Sequence, residues 1–120
     1  MNFKKHQPIY VQIAETIFED ILEQKLTSGA KVPSVRELAT TVQVNPNTVQ
    51  RSFQWLQDEN IIEQRRGIGF FITDNALHKT LEIKKKEFFD HILPETIHTI
   101  RLLQIPKKQI LDEIEKNIAQ

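Results

Sequence analysis

The sequence contains no cysteine and carries no net charge. Without cysteine the chain forms neither disulfide bonds nor thiolate zinc sites, as is usual for a protein of the reducing cytoplasm. No apolar run approaches the length that spans a membrane, and residues 1–5 (MNFKK) are not followed by an apolar segment. We therefore expect a cytoplasmic protein with no membrane partner.

Catalytic signatures are also missing. The sequence has no Ser/His/Asp order, no phosphate-binding loop and no paired-carboxylate motif, and Gly67-x-Gly69 lies between predicted strands instead of before a helix. The 16 basic residues balance 16 acidic ones, which disfavours a nonspecific polycation. We expect one modest domain with an appendage, without enzymatic activity and without a cofactor.

Residues 33–58 predict two helices joined by a tight turn. Ser34 and Glu37 have the spacing of a capping box, and Asn45-Pro46 combines a capping amide with proline at the first helical position. The helical spacing of apolar residues predicts two buried stripes, formed by Val35, Leu38, Ala39 and Val42 in the first helix and by Val49, Phe53 and Leu56 in the second. This order of elements is typical of a helix-turn-helix.

The second of these helices has a polar outward face, and a hairpin follows it. The predicted outward residues are Asn47, Thr48, Gln50, Arg51 and Gln54, whose side chains suit base edges and phosphates. Two strands around Gly67 and Gly69 predict a wing with Arg65 and Arg66 at its tip. A polar helix face is often merely exposed to solvent and does not by itself indicate DNA binding. The prediction of DNA binding depends on the order in which the two helices, the polar face and the hairpin follow one another.

Four motifs in fixed order, PIYVQIAETI, KVPSVRELA, VNPNTVQRSFQWL and IIEQRRGIGFFI, closely resemble the DNA-binding domain of GntR-type bacterial transcription regulators. The VNPNTV form and the short tail resemble the YtrA subfamily. The resemblance covers a little over half the chain. It implies a homodimeric repressor that binds a palindromic operator. A small-molecule effector is left open.

The resemblance also implies the DNA contacts. They fall on Arg36, Asn45, Asn47, Thr48, Gln50, Arg51, Arg66 and Gly67, to which the tip pattern adds Arg65. Pro46 and Gln50 stand where relatives commonly have arginine, so we expect readout to rely on amides, which favour adenine. Gln43 replaces the usual glycine of the turn, where a left-handed conformation costs about 1 kcal/mol.

The flanking segments are also predicted to be helical. A helix from Pro8 to near Lys25 should bury Ile9, Ile13, Ile17 and Ile21. For Tyr10 and Gln12 a scaffold role is favoured over contact with DNA or a partner. After Asp74, apolar stripes predict three short helices separated near Pro94 and Pro106. Such stripes favour a dimer interface over a tail that packs back on a monomer. We expect no deep ligand cavity within one tail.

The combined prediction is a mostly α protein with a small β-wing. Residues 1–75 form a winged helix-turn-helix, and residues 76–120 form a short helical dimerisation tail. The alternative is a winged-helix protein-interaction module that does not bind DNA. A metal site at His91, Glu95 and His98 is disfavoured, because Pro94 disturbs their helical register and nothing fixes a third ligand.

Overall fold

A computed structural model describes residues 7–119. Residues 1–6 and 120, which belong to the predicted domains 1–75 and 76–120, lie outside the described residues. The chain forms two compact units, the first ending at Lys84 and the second starting at Lys85. The described helices include none that is long and apolar enough to cross a membrane.

The predicted first helix consists of two pieces, α1 (Ile9–Ile13) and α2 (Glu15–Leu22). They meet at Ala14, whose N–H donates to the carbonyl of Val11 at 3.1 Å, a bond one residue shorter than in an α-helix. The sequence contains no helix breaker at this point. Contrary to prediction, Ile9 is exposed, because it starts α1 at the edge of the core, while Ile13, Ile17 and Ile21 are buried.

The two helices of the helix-turn-helix are α3 (Val35–Val42) and α4 (Pro46–Asp58). The predicted capping box is present: the Ser34 hydroxyl accepts from the Glu37 N–H at 3.1 Å, and Glu37 accepts from the Ser34 N–H at 3.0 Å. Between the helices, Gln43 adopts the left-handed conformation (φ 57°, ψ 53°) expected of a position usually occupied by glycine.

The wing consists of β1 (Ile62–Arg65) and β2 (Gly69–Ile72), which pair antiparallel, with Arg65 opposite Gly69. A third segment, not predicted from the sequence, pairs with the free edge of β2. The N–H of Val32 donates to the Phe70 carbonyl at 2.8 Å, and the N–H of Ile72 donates to the Ala30 carbonyl at 2.9 Å. These bonds fix the wing directly beside the start of α3.

One apolar core joins the helices and the wing of the first unit. Its largest fully buried apolar side chains come from all four helices, the strands and the residue before β1: Phe18, Phe53, Ile13, Ile17, Leu38, Leu56, Ile61, Ile62 and Ile72. Phe53 of α4 packs edge-on against Phe70 of β2, with ring centres 4.9 Å apart. The core therefore sets the distance between α4 and the wing.

After the wing come α5 (Ala76–Glu87), a π-helical segment (Phe88–Ile92), α6 (Leu93–Leu102) and α7 (Lys107–Asn117). The π-helical turn directly precedes Pro94, which lacks the N–H that a regular helix would use there. Pro106 caps α7, as the predicted separation of the last two helices requires. No residue of α6 or α7 is buried.

Candidate nucleic-acid interface

The start of α4 presents polar side chains to solvent. The side-chain oxygen of Asn45 accepts from the N–H of Asn47 at 2.7 Å and so caps the helix. The cap fixes the orientation of the Asn45 side chain and leaves its amide NH₂ available to donate to another partner. The side chains of Asn47 and Gln50 are exposed, whereas Thr48 is half-buried and less available than its predicted outward position suggested.

Four residues of α4 form one exposed polar stripe, because they are spaced three or four apart: Asn47, Gln50, Arg51 and Gln54. At the far end of the stripe, the Gln54 amide donates to Asp58 at 3.0 Å. That bond orients Gln54 toward the C-terminal end of α4. The N-terminal part of the stripe, with Asn47 and Gln50, keeps its amides available for base edges.

Arg51 is held by an aromatic side chain from α1. Its guanidinium carbon lies 4.8 Å from the ring centre of Tyr10, which itself packs edge-on against Trp55 at 6.1 Å. The buried Ser52 hydroxyl donates to the backbone carbonyl of Tyr10 at 2.7 Å. The sequence alone assigned Tyr10 to the scaffold, because a ring contact between two helices is not visible in apolar periodicity.

The two arginines predicted at the wing tip have different environments. Arg66 and Gly67 lie in the turn between the strands, where Gly67 has φ 76° and nothing within 4 Å of where a β-carbon would lie. Arg65 instead ends β1 and pairs with Glu63 at 3.2 Å. The Arg65 carbonyl accepts from the Ile68 N–H at 3.0 Å and so opens the turn, but its guanidinium lies over Phe71 instead of projecting from the tip.

Arg36 lies in the first turn of α3 and is exposed. Within residues 7–119, neither Arg36 nor Arg66 has an ion-pair partner, so both guanidinium groups are available to phosphates. Beside Arg36, hydrogen bonding from the Ser34 N–H holds the pKa of the Glu37 carboxyl below its ordinary value. The ionised carboxylate thereby stabilises the helix start that carries Arg36.

A further cation, which the sequence reasoning missed, lies beside the wing. Lys31 is exposed, and its backbone forms an isolated antiparallel β-bridge with Phe71 of β2. The Cε atom of Lys31 lies 3.1 Å from the position that a β-carbon on residue 69 would take. Side-chain bulk at residue 69 would displace the lysine, and φ 135° at that position further favours glycine. The available sequence signal was the position of Lys31 in KVPS, three residues before the capping Ser34.

The part of the chain that the structure describes contains no group of three or more His, Cys, Asp or Glu residues arranged to hold a metal ion. His91 is half-buried in the π-helical segment, whereas His98 is exposed in α6, beyond Pro94. The exposed amides and unpaired arginines described above lie on α3, α4 and the wing of the first unit.

Comparison with known proteins supports this location. The family model for bacterial regulatory proteins of the gntR family matches residues 9–72. The uncharacterised HTH-type transcriptional regulator YhcF of Bacillus subtilis is 35% identical over 114 residues, which are 95% of this chain and 93% of that protein. The transcriptional repressor YtrA of the same species is 46% identical over 77 residues, 64% of this chain and 59% of that protein.

A solved structure extends the similarity to the second unit. A GntR family transcriptional regulator from Listeria monocytogenes superposes with a TM-score of 0.68 at 32% sequence identity. The superposition covers 97% of this chain and the whole of that one. The winged helix and the short helical tail thus occur together in a known regulator.

Proposed function

We propose that this chain, which belongs to the GntR family of bacterial regulatory proteins, is a repressor that binds a palindromic operator as a homodimer. Members of this family are DNA-binding transcriptional regulators and not enzymes, and the same therefore holds for this chain. Beyond family membership, we propose that the protein represses transcription, that its operator is palindromic and that two subunits bind it. It places the protein in the cytoplasm, where a bacterial chromosome is accessible.

The observation that carries the DNA-binding part is the set of unengaged polar groups on α3, α4 and the wing. Arg36 and Arg66 have no ion-pair partner among the described residues, and Asn47 and Gln50 are exposed on α4. In the proposed complex the two arginines contact phosphates, which fixes the protein on the duplex. Asn47 and Gln50 enter the major groove and pair with adenine edges.

The homodimer is proposed from the second unit considered by itself. Its helices α6 and α7 bury no residue, and large apolar side chains are exposed along them, with Leu102 at 67% and Leu103 at 65%. A half-open apolar groove of about 480 Å³ lies between α6 and α7 and includes Ile97 and Ile110 in its walls. Exposed apolar surface of this extent is characteristic of a partner interface.

We propose that a second copy of the chain covers this apolar surface. Such a dimer also matches the twofold symmetry of the proposed operator. A twofold dimer presents two α4 helices to two half-sites, and linking them raises affinity through effective concentration. The groove is open along one side, unlike the closed cavity that usually surrounds a small ligand. We accordingly propose no effector chemistry. Repression is proposed by analogy with the relative that is named a repressor.

Selection from a randomised duplex library tests the function and identifies the operator sequence in one experiment. Full-length protein is mixed with the library, and bound DNA is recovered and sequenced over several rounds. The proposal expects an enriched inverted repeat with adenine-rich half-sites about one helical turn, 10–10.5 base pairs, apart. A reporter gene preceded by the enriched sequence should be expressed less when the protein is present.

The alternative, a winged-helix module for protein interaction, makes the opposite prediction. A module without DNA binding enriches no sequence and has equal, weak affinity for every duplex. Enrichment of a single half-site would contradict the proposed twofold target, while higher expression from the reporter would contradict repression.

A further inference from the structure

Tyr10 lies where α1 meets α4 and contacts three residues of α4 in different ways. Its backbone carbonyl accepts from the buried Ser52 hydroxyl at 2.7 Å. Its ring packs edge-on against Trp55, with ring centres 6.1 Å apart, and lies 4.8 Å from the guanidinium carbon of Arg51. Ser52 therefore fixes the Tyr10 backbone, while the ring is placed between a half-buried tryptophan and an exposed arginine.

Stacking on a ring orients an arginine without using its hydrogen bonds. The ring attracts the face of the planar guanidinium, whereas the five N–H donors project from its edge. Arg51 held in this way keeps its donors for another partner. Arg65 is held differently, since Glu63 accepts from its Nη2 at 3.2 Å while Phe71 covers its face.

The acidic residue that borders the same hollow as Tyr10 and Arg51 already accepts a hydrogen bond from α4. Asp58 lies with Tyr10 and Arg51 around a shallow hollow of about 190 Å³ and accepts from the Gln54 amide at 3.0 Å. Within the described residues Arg51 forms no ion pair with Asp58 or any other carboxylate. The arginine is thus ordered by an aromatic contact and forms no ion pair among the described residues.

We propose that Tyr10 is a positioning residue for DNA binding, whose ring holds the Arg51 guanidinium in place to donate to a backbone phosphate. This proposal rests on the proposed function, because it requires α4 to lie on DNA. It extends the interface to α1, which contributes through Arg51. An arginine ordered before binding loses less side-chain entropy when it contacts the phosphate.

A double-mutant cycle on DNA affinity tests the coupling. The variants are Tyr10→Leu, Arg51→Gln and the double variant, and the probes are the duplex selected by the wild-type protein and an unrelated duplex of equal length. Tyr10→Leu should weaken binding to both duplexes by about 2- to 30-fold, the range of a cation–π contact. In the Arg51→Gln background, Tyr10→Leu should cause almost no further loss, since the residue it acts through is absent.

Two controls separate positioning from a structural role. Tyr10→Phe keeps the ring and should retain wild-type affinity, and thermal unfolding of each variant shows whether DNA binding changes without a matching loss of stability. Ser52 binds the backbone of residue 10, so that bond survives all substitutions of the side chain. Phe71→Leu, which removes the ring beneath Arg65, should combine additively with Arg51→Gln.

The outcomes distinguish this proposal from the one on which it rests. Additive losses in the Tyr10/Arg51 cycle would overturn the positioning role while leaving DNA binding intact. A Tyr10→Phe variant that binds as weakly as Tyr10→Leu would also overturn it, because the hydroxyl would then be the functional group. A wild-type protein that selects no duplex would overturn the proposed function itself.

Discussion

The guanidinium carbon of Arg65 lies 4.1 Å from the ring centre of Phe71, on the side of the wing opposite the core. Its sequence neighbour Arg66 lies in the turn and has no ion-pair partner among the described residues. The change of environment follows from the strand, since successive side chains alternate between faces and β1 ends at Arg65. The two adjacent arginines thus have different environments, since the Arg65 guanidinium lies on the sheet and Arg66 lies in the turn.

Substitution of the two arginines should separate these roles. Arg66→Ala should weaken binding to operator and unrelated DNA alike and reduce the salt dependence of log K by roughly one unit, because a phosphate contact is lost. Arg65→Ala should change DNA affinity less and shift the free energy of unfolding by no more than about 0.5 kcal/mol, since the pair with Glu63 is exposed. Equal effects of both substitutions on affinity would contradict the assignment.

Base readout and phosphate anchoring should separate in the same way on the helices. Asn47→Ala should cost about 1–3 kcal/mol of binding free energy on the selected operator and little on unrelated DNA. Arg36→Ala should weaken both and flatten the salt slope. Fluorescence anisotropy titrations at several salt concentrations measure these quantities. If Asn47→Ala lowered both affinities equally, the readout role would be wrong.

A buried hydroxyl on α5 offers a test of the core. Thr80 is fully buried, and its hydroxyl has no hydrogen-bond partner among residues 7–119. Thr80→Val should stabilise the protein by about 1 kcal/mol, because it removes an unsatisfied polar group and keeps the shape. Thr73→Val is the matched control: its hydroxyl donates to the Asn60 carbonyl at 2.7 Å, so its loss should destabilise. Chemical denaturation compares the two.

The capping box should make the stability of α3 dependent on pH. The hydrogen bond from the Ser34 N–H lowers the pKa of Glu37 from its ordinary 4.5, so its stabilisation is complete above that value and lost as pH falls through the lowered pKa. Glu37→Gln keeps a cap without a titrating group. Between about pH 6 and about pH 3 it should therefore lose less thermal stability than the wild type.

Glu37→Ala provides the comparison for this experiment, because it removes the side-chain cap at every pH. Its unfolding temperature should lie below that of the wild type near neutral pH and approach it in acid. A Glu37→Gln protein that loses as much stability as the wild type over the same range would show that other carboxyl groups dominate the acid response.

Charge placed in the apolar groove should disrupt the proposed dimer. Ile97 lines the groove between α6 and α7, so Ile97→Glu would place an unpaired carboxylate in the proposed interface. Sedimentation should show a shift from dimer to monomer and a large loss of affinity for a full palindrome. Ile68→Glu, at an even more exposed apolar residue of the wing, should leave the dimer intact. A dimeric Ile97→Glu protein would place the interface elsewhere.

Local signals in the sequence determined the helix-turn-helix and the hairpin. Ser34 with Glu37, Asn45 with Pro46, and Gly67 with Gly69 act within a few residues, so their capping and turn geometries follow from chemistry that does not depend on distant contacts. The same holds for the left-handed Gln43, which was expected from its place in the turn. Element order and family resemblance followed from these signals.

Tertiary structure decided which side chains contact other elements of the fold and which partners they contact. The interruption at Ala14, the exposure of Ile9 and the pairing of residues 29–32 with β2 depend on how distant segments pack, which local periodicity does not encode. Arg51 on Tyr10 and Arg65 on Phe71 are also contacts between elements. The sequence determined which residues could contact DNA, whereas only the fold set which guanidinium groups are held by rings and which remain unengaged.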